Sequence, residues 1–282
     1  MPGSILKNLA RYAVPRSVRN WLRSPSISLA RLSENARFSL GTTRTFRLDP
    51  DIAITLHPHA FKVAYRDQVL DPDQHAEVMN FVTRCTPQMV LFDIGAHYGI
   101  FSLIAANRGA TVIAVEPSTA AVRMIARQAA LNHESDRIHI VHAAASSGSG
   151  TLKMLGSGVF SDDYFRVVEG RSPRELMSVR AVTIDSLAAE FGSPTHIKID
   201  VEGQEAAVLA GGRETLARHS PELFLELHNQ LISEAGGEPS AALNELRTLG
   251  YRTFALDGVP IVQGHILQQT LVRLVATKDG HA

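Results

Sequence analysis

Hydrophobic and polar positions change period repeatedly along the chain. Val90–Asp93 is a short apolar run closing on an acid, the pattern of a strand buried on both faces. Gly99 opens a helical stretch, and Thr111–Glu116 predicts a second strand ending in an acid. Pro117-Ser118-Thr119 is a helix-start signal, with a helix running to about Leu131. Further strands are predicted at Ile138–Ala143, Val179–Ile184, His196–Asp200, Leu223–Leu227, Tyr251–Leu256 and Leu271–Ala276. Helices are predicted over about Gln204–Ala217, weakened at Gly211-Gly212, and over 240–249. This alternation predicts an α/β fold with a mainly parallel sheet and helices on both faces. Ligands of such sheets bind at the carboxyl ends of the strands.

Three zones are expected: a basic arm (1–45), a strand/helix extension (46–86) and the main domain (87–282). In the extension Ile52, Ile54 and Leu56 alternate, and so do Phe61, Val63 and Tyr65, which predicts short strands. A helix follows from about Gln74 to Arg84. The stretch 146–177 is rich in Gly and Ser and takes no clear period.

Composition narrows the function classes. Hydrophobic residues at 45% and charged residues at 20% exclude a chain disordered throughout. No apolar run is long enough for a membrane span. Cys85 is the one cysteine, which excludes an intrachain disulfide framework and a Cys-rich zinc site. Lys7, Arg11, Arg16 and Arg19 interrupt any secretory apolar segment, so a cytoplasmic protein is expected. The net charge of zero hides an asymmetry. Residues 1–47 carry nine Lys/Arg against Glu34, leaving 19 Lys/Arg against 27 acids in the rest. A basic arm on an acidic body does not read as a nucleic-acid-binding domain.

The sharpest local feature is Asp93-Ile94-Gly95-Ala96-His97-Tyr98-Gly99, between a buried strand and a helix. Glycines there permit backbone conformations and close approaches that a Cβ would block, and the helix start adds free amide donors. Glu116, 23 residues after Asp93, ends the next strand, where a carboxylate can accept two ribose hydroxyls. A dinucleotide turn prefers glycine where this chain has His97, so pyrophosphate would meet a side chain. S-adenosylmethionine has no phosphate, and its ammonium suits Asp93. The other reading is a glycine turn over a buried polar residue.

These pieces resemble the FkbM family of S-adenosylmethionine-dependent methyltransferases. The matching segments are DIGAHYGIFSL (93–103), VEP (115–117), IKIDVEGQE (197–205), PELFLELH (221–228) and GYRTFALDG (250–258). The resemblance covers about 74–276. It departs at His97, where the family usually has asparagine. It implies a class I methyltransferase (Rossmann-like) core, a seven-stranded sheet with one antiparallel edge strand. It implies that Asp93, Gly95, Ala96, His97, Gly99, Glu116 and Pro117 line the cofactor pocket. It also implies hydroxyl acceptors on sugars or sugar-containing molecules.

Lys198, Asp200 and Glu202 alternate with Ile197, Ile199 and Val201, which would put the three ionisable groups on one strand face. Such groups are costly at a strand end unless they meet a ligand, a partner or water; a Lys198–Glu202 pair anchoring the turn is the alternative. Glu226 and His228 share a face of the next strand. A hydroxyl needs a base as its C–O bond forms, and histidine titrates near neutrality, so His228 is the expected base. Glu226 would orient His228 or bind a sugar hydroxyl. Asp200, Glu226 and His228 could instead hold a divalent metal; the metal-free reading ranks first because no tight ligand-spacing motif is visible.

The expectation is therefore an O-methyltransferase acting on a glycan or glycosylated small molecule. The competitors are an amine or carboxylate acceptor, a silent cofactor-binding scaffold and, further off, a nicotinamide dehydrogenase. Residues 156–177, with Asp162, Asp163, Tyr164 and Phe165, are either a lid that sets acceptor choice or an ordinary loop. The arm, with Trp21 among Arg16, Arg19 and Arg23, either packs on a second subunit, lies on an anionic membrane or stays loosely ordered.

Overall fold

The computed structural model describes residues 40, 42–48, 50–65, 71–155, 166–167, 176–261 and 263–278. The expectations for the basic arm and for most of the 156–177 insertion fall outside the described residues. The chain divides into two compact units, Met1–Thr43 and Arg44–Ala282. Everything below belongs to the second.

That unit opens with an antiparallel pair, β1 (Arg44–Arg47) and β2 (Ala53–Leu56), and two helices, α1 (Pro58–Tyr65) and α2 (Pro72–Val82). The alternation of Phe61, Val63 and Tyr65 predicted a strand, but the segment is helix α1. Residues 60 and 64, both alanines, and Val63 also satisfy a helical stripe, and Pro58 at the first helical position favours the helix. Asp71 caps α2, accepting from the amides of Asp73 and Gln74.

The elements of the main domain follow in order: β3 (Val90–Ile94), α3 (Ile100–Asn107), β4 (Thr111–Glu116), α4 (Thr119–Leu131), β5 (Ile138–His142) and β6 (Ala144–Ala145). Then come β7 (Gly150–Leu155), β8 (Arg166–Val167), β9 (Leu176–Val182), α5 (Ile184–Phe191) and β10 (His196–Ile199). The chain continues with α6 (Glu205–Ala210), α7 (Arg213–His219), β11 (Glu222–Leu227), α8 (Asn229–Glu234) and α9 (Ser240–Thr248). It closes with β12 (Arg252–Ala255), α10 (Gln263–Ile266) and β13 (Val272–Thr277). The helix expected over 204–217 is two helices, broken at Gly211-Gly212. A Cβ on Gly211 would stand 2.1 Å from the Ser146 carbonyl oxygen, so the chain passes too close there for any side chain.

Seven strands form the central sheet in the order β12-β13-β11-β10-β3-β4-β5. All neighbours pair in parallel except that β13 runs antiparallel to both β11 and β12. The antiparallel strand is thus one place in from the edge rather than at it. Inserted there, it gives β11 a second ladder and buries Leu274 and Ala276. The segment at 179–184 does not join this sheet. It belongs to β9 in a small four-stranded sheet, β6-β9-β7-β8. Between β3 and β10 the strand order reverses, and this is where α/β sheets open a ligand crevice.

The extension is stitched onto this sheet. Asn132, the C-cap of α4, takes the Thr55 amide on Oδ1 (2.7 Å) and gives Nδ2 to the Thr55 carbonyl (2.8 Å), imitating a strand partner. Phe81 of α2 meets Phe101 and Phe224 edge to face, with centroids 5.1 and 5.2 Å apart. That packing, with the Glu77–Lys198 pair, holds α2 against α3, β10 and β11. Among the described residues no helix is long and apolar enough to cross a membrane.

Candidate active site

The turn after β3 carries the first half of the site. Gly95 has φ +83° and Gly99, the N-cap of α3, has φ +75°, conformations that cost a side chain strain. A Cβ on Gly95 would lie 1.8 Å from the Asp200 carbonyl oxygen. Its glycine is therefore required by the close approach of the β10 turn, whose Asp200 amide also donates to the Ile94 carbonyl at 3.0 Å. His97 has φ +50°. Histidine shares with asparagine an above-average tolerance of this region, which explains how the chain accommodates it. The ring stacks on Tyr98 at 3.8 Å, and Tyr98 hydroxyl meets His59 Nε2 at 3.0 Å.

Glu116 ends β4, nearly buried. Its Oε2 accepts the His97 amide (2.8 Å) and its Oε1 the Ser118 amide (2.7 Å). Burial pushes its carboxyl up to about 7, against the pull of those two amides. Both oxygens keep lone pairs to spare for further donors. Asp93 lies 2% exposed beneath the turn, with Ser102 Oγ donating to its Oδ2 at 2.5 Å. Burial raises it above the usual carboxylate range, while Ser102 and the charge of Lys198 draw it down.

The second half comes from β10 and β11. Lys198 pairs in register with Asp93 on one side and Phe224 on the other. Its side chain is buried, so the ammonium lies inside the protein and demands counter-charges. It has them: Glu226 at 3.2 Å, Glu77 of α2 at 3.3 Å and Asp200 at 3.9 Å. Arg273 of β13 closes the cluster, 3.3 Å from Glu77 and 3.5 Å from Glu226, and also donates to Gln74. Burial works against the ammonium of Lys198, but the surrounding carboxylates outweigh it and raise its pKa. Burial also pushes Glu226 up, yet Lys198 and Arg273 hold it down at about 2. Glu77 goes the other way, to about 8, because burial there exceeds the help of the same cations.

Three sequence expectations are corrected here. The strand ends at Ile199, and Glu202 sits in the following turn at φ +53°, so the alternation does not continue through it. Lys198 pairs with Glu77 and Glu226 rather than with Glu202. Nor does Glu226 orient His228: that contact belongs to Glu205, whose Oε1 lies 2.7 Å from His228 Nδ1. His228 Nε2 points the other way, 3.7 Å from Asp200 Oδ1 and 3.8 Å from Glu202 Oε2. Burial lowers the pKa of His228, but the Glu205 hydrogen bond and three nearby carboxylates raise it to about 9. Burial and the neighbouring Glu226 raise Asp200 to about 7, although a third of its side chain remains exposed.

These groups open on one cavity of about 520 Å³. Gly95, Ala96 and His97 form one wall, and Lys198, Asp200, Glu202, Glu226 and His228 another. Gln74, Gln230, Thr270 and Arg273 line it as well. Asp93, Gly99, Glu116 and Pro117 are not among the residues that line it; Glu116 is tied to the lining through the His97 amide. Three residues missed in the sequence, Glu77, Glu205 and Arg273, carry the charge network. Glu77 shares the inward helical stripe of Val78 and Phe81, and Arg273 interrupts an apolar strand. A charge set into an apolar pattern was the available signal. A larger hollow, about 990 Å³, lies at the opposite end of β10 and β11, but its charged walls are satisfied internally, as in Arg84–Glu222 and Lys278 with the Leu216 carbonyl.

Donor atoms of Asp200, Glu226 and His228 come within 4.8 Å of one another. A divalent ion there would have to share Glu226 with Lys198 and Arg273, a poor donor set for a dication.

No curated protein matches the chain in sequence. Among solved structures, an FkbM methyltransferase from Methylobacillus flagellatus KT is 18% identical, with TM-score 0.45, covering 69% of this chain and 44% of its own. This chain thus spans less than half the length of that protein. An O-methyltransferase from Bacillus cereus, solved with SAH, is 12% identical at TM-score 0.41, covering 78% of this chain and 87% of its own. The ribosomal protein L11 methylase of Lactobacillus delbrueckii subsp. bulgaricus is 13% identical at TM-score 0.46, covering 83% and 98%. The profile of the methyltransferase FkbM domain matches residues 93–253, more than half of the chain. The chain belongs to the FkbM methyltransferase family.

Proposed function

We propose that this S-adenosylmethionine-dependent methyltransferase methylates a hydroxyl of a sugar, glycan or glycosylated small molecule. The carrying observation is that Asp200 and His228, at the ends of adjacent strands, face each other at 3.7 Å on the cavity that also holds Gly95 and His97. The bound cofactor supplies an electrophilic methyl on a sulfonium. Asp93, Gly95, Ala96, His97, Gly99, Glu116 and Pro117 are the proposed residues that hold it. Glu116 receives ribose hydroxyls, and the acidic surroundings attract the cofactor's cationic groups.

Asp200 and His228 are the proposed proton-handling pair. Below about pH 9 the imidazole of His228 holds its proton, which favours Asp200 over His228 as the base. Asp200 becomes a carboxylate near pH 7 and takes the acceptor's proton as the C–O bond forms. Lys198 and the imidazolium beside it draw that value down, against burial and Glu226. Lys198 and Glu226 set the floor of the acceptor space, and with Arg273 leave little uncompensated positive charge for an anionic acceptor. A neutral polyol fits the amides and hydroxyl of Gln74, Gln230 and Thr270.

The test is isothermal titration with S-adenosylmethionine and S-adenosylhomocysteine, beside Asp93→Ala/Glu116→Ala, followed by an acceptor panel with sugars first. Micromolar binding lost in the double variant, with turnover on hydroxyl acceptors, is expected. No binding to folded wild-type protein sinks the reading; turnover on amines alone replaces the acceptor class. We further propose a cytoplasmic enzyme whose arm, 1–45, makes a peripheral membrane or homodimer contact. Cosedimentation with anionic liposomes and light scattering, with and without residues 1–45, decide between these contacts; loss of neither on deletion rejects both.

A further inference from the structure

His228 is held at both ends. Its backbone caps α8, with the Ile232 amide donating to its carbonyl at 3.0 Å. Its ring has one short contact, Nδ1 with Glu205 Oε1 at 2.7 Å, and two longer ones through Nε2. Glu205 is fully buried at the start of α6, and the same Oε1 accepts the Gly203 amide at 3.1 Å. Gly203 has φ +97°, and a Cβ there would press on Leu231 of α8. The turn, the carboxylate and the imidazole therefore form one rigid unit. Glu205 Oε2 is buried without a hydrogen-bond partner. A buried carboxylate with a bare oxygen is expensive unless a cation sits against it, and His228 is the cation in reach.

We propose that Glu205 is a positioning residue, holding His228 by Nδ1–H so that Nε2–H is presented to Asp200 and Glu202 at the cavity wall. The inference rests on the reading of Asp200 and His228 as the proton-handling pair, but the contact itself needs no ligand. A carboxylate against one imidazole nitrogen fixes which nitrogen faces the reaction and favours the charged ring. The groups facing His228 are Asp200 and Glu202 from the β10 turn and Glu205 from α6. Of these three, only Glu205 meets Nδ1 at hydrogen-bond distance.

Glu205→Gln separates this role from that of a turn anchor. Glutamine's oxygen still accepts the Gly203 amide, so the turn keeps its bond while the charge goes. The experiment follows the twelve histidines by two-dimensional NMR against pH in cofactor-free protein, with His228 assigned by its absence in His228→Asn. Expected is a fall of about one pH unit or more in the His228 midpoint in Glu205→Gln, because a neutral amide oxygen replaces the carboxylate that favours the charged ring. Glu205→Asp, which keeps the charge, recovers part of it. The activity profile of Glu205→Gln should narrow as well, losing its alkaline side first. An unchanged His228 midpoint in a variant that melts like wild type overturns the proposal. If Glu205→Gln does not fold, the Asp variant decides: a wild-type midpoint despite its shorter reach overturns it, a lowered one supports it. Because the imidazole titration uses no cofactor or acceptor, a shifted midpoint in a protein that transfers no methyl supports the contact and counts only against the methyltransferase chemistry.

Discussion

A Cβ on Gly95 would stand 1.8 Å from the carbonyl oxygen of Asp200. The turn after β3 and the turn after β10 thus touch through backbone, where the strand order reverses. Gly95→Ala should lose both: strain at φ +83° and overpacking together cost about 2–5 kcal/mol. Chemical denaturation reads the stability, and titration calorimetry the loss of cofactor binding. A variant of wild-type stability would mean the two turns are not so tightly apposed.

Lys198→Met should be among the most damaging substitutions that leave the cavity's shape intact. It strands Glu77 and Glu226 with Arg273 alone, and breaking a buried pair costs about 3–5 kcal/mol. Adding Glu77→Gln should return part of that stability, since one unpaired carboxylate is removed. Equal stability of the single and double variants would show that the cluster is not energetically coupled.

Stability of the cofactor-free protein should fall from about pH 5 to pH 9. Buried Glu116 and Asp200, raised to about 7, and Glu77, raised to about 8, bind more protons folded than unfolded, so they favour folding less as pH rises through those values. His228, raised to about 9, contributes fully below its unfolded value near 6.5, and that contribution is lost by about pH 9. Glu226 has the opposite sign: depressed to about 2, it stabilises above about pH 4.5 and loses this as pH falls through 2. Scanning calorimetry at pH 5, 7 and 9 should give successively lower melting temperatures; a rise over that range contradicts these assignments.

Asp200→Asn should lower kcat by roughly 10²–10⁴-fold, the usual value of a positioned base, with cofactor affinity changed only a few-fold. Stopped-quench assays and calorimetry on one preparation separate the two. A variant with wild-type kcat removes Asp200 from the chemistry.

Activity should survive exhaustive EDTA treatment, because Glu226 is already committed to two cations. Loss of activity restored by a divalent salt would reinstate the metal reading of Asp200, Glu226 and His228.

Much of the sheet was legible because its strands are buried on both faces and read as unbroken apolar runs; β4, Thr111–Glu116, matches residue for residue. The helix α1 was not legible, since an eight-residue apolar stripe satisfies both periods. On the site side, Lys198, Asp200 and His228 announced themselves as charges at strand ends, and they do share a cavity. Their partners did not, because pairing over 121 residues, as from Glu77 to Lys198, is set by topology and leaves no local spacing to read. The placement of the antiparallel strand was hidden for the same reason: the pattern of β13 says it is buried, not which neighbours it joins.

The pairing of Glu77 with Arg273 has a consequence for how the enzyme is made. Residue 77 leaves the ribosome nearly two hundred residues before its partner. Until β13 inserts beside β11, the growing chain carries Glu77, Glu226 and Asp200 around a single lysine, an acidic cleft with its seal undone. The charge cluster is therefore completed only when β13 docks, and a chain released short of Arg273 would leave Glu77 and Glu226 without their second cation.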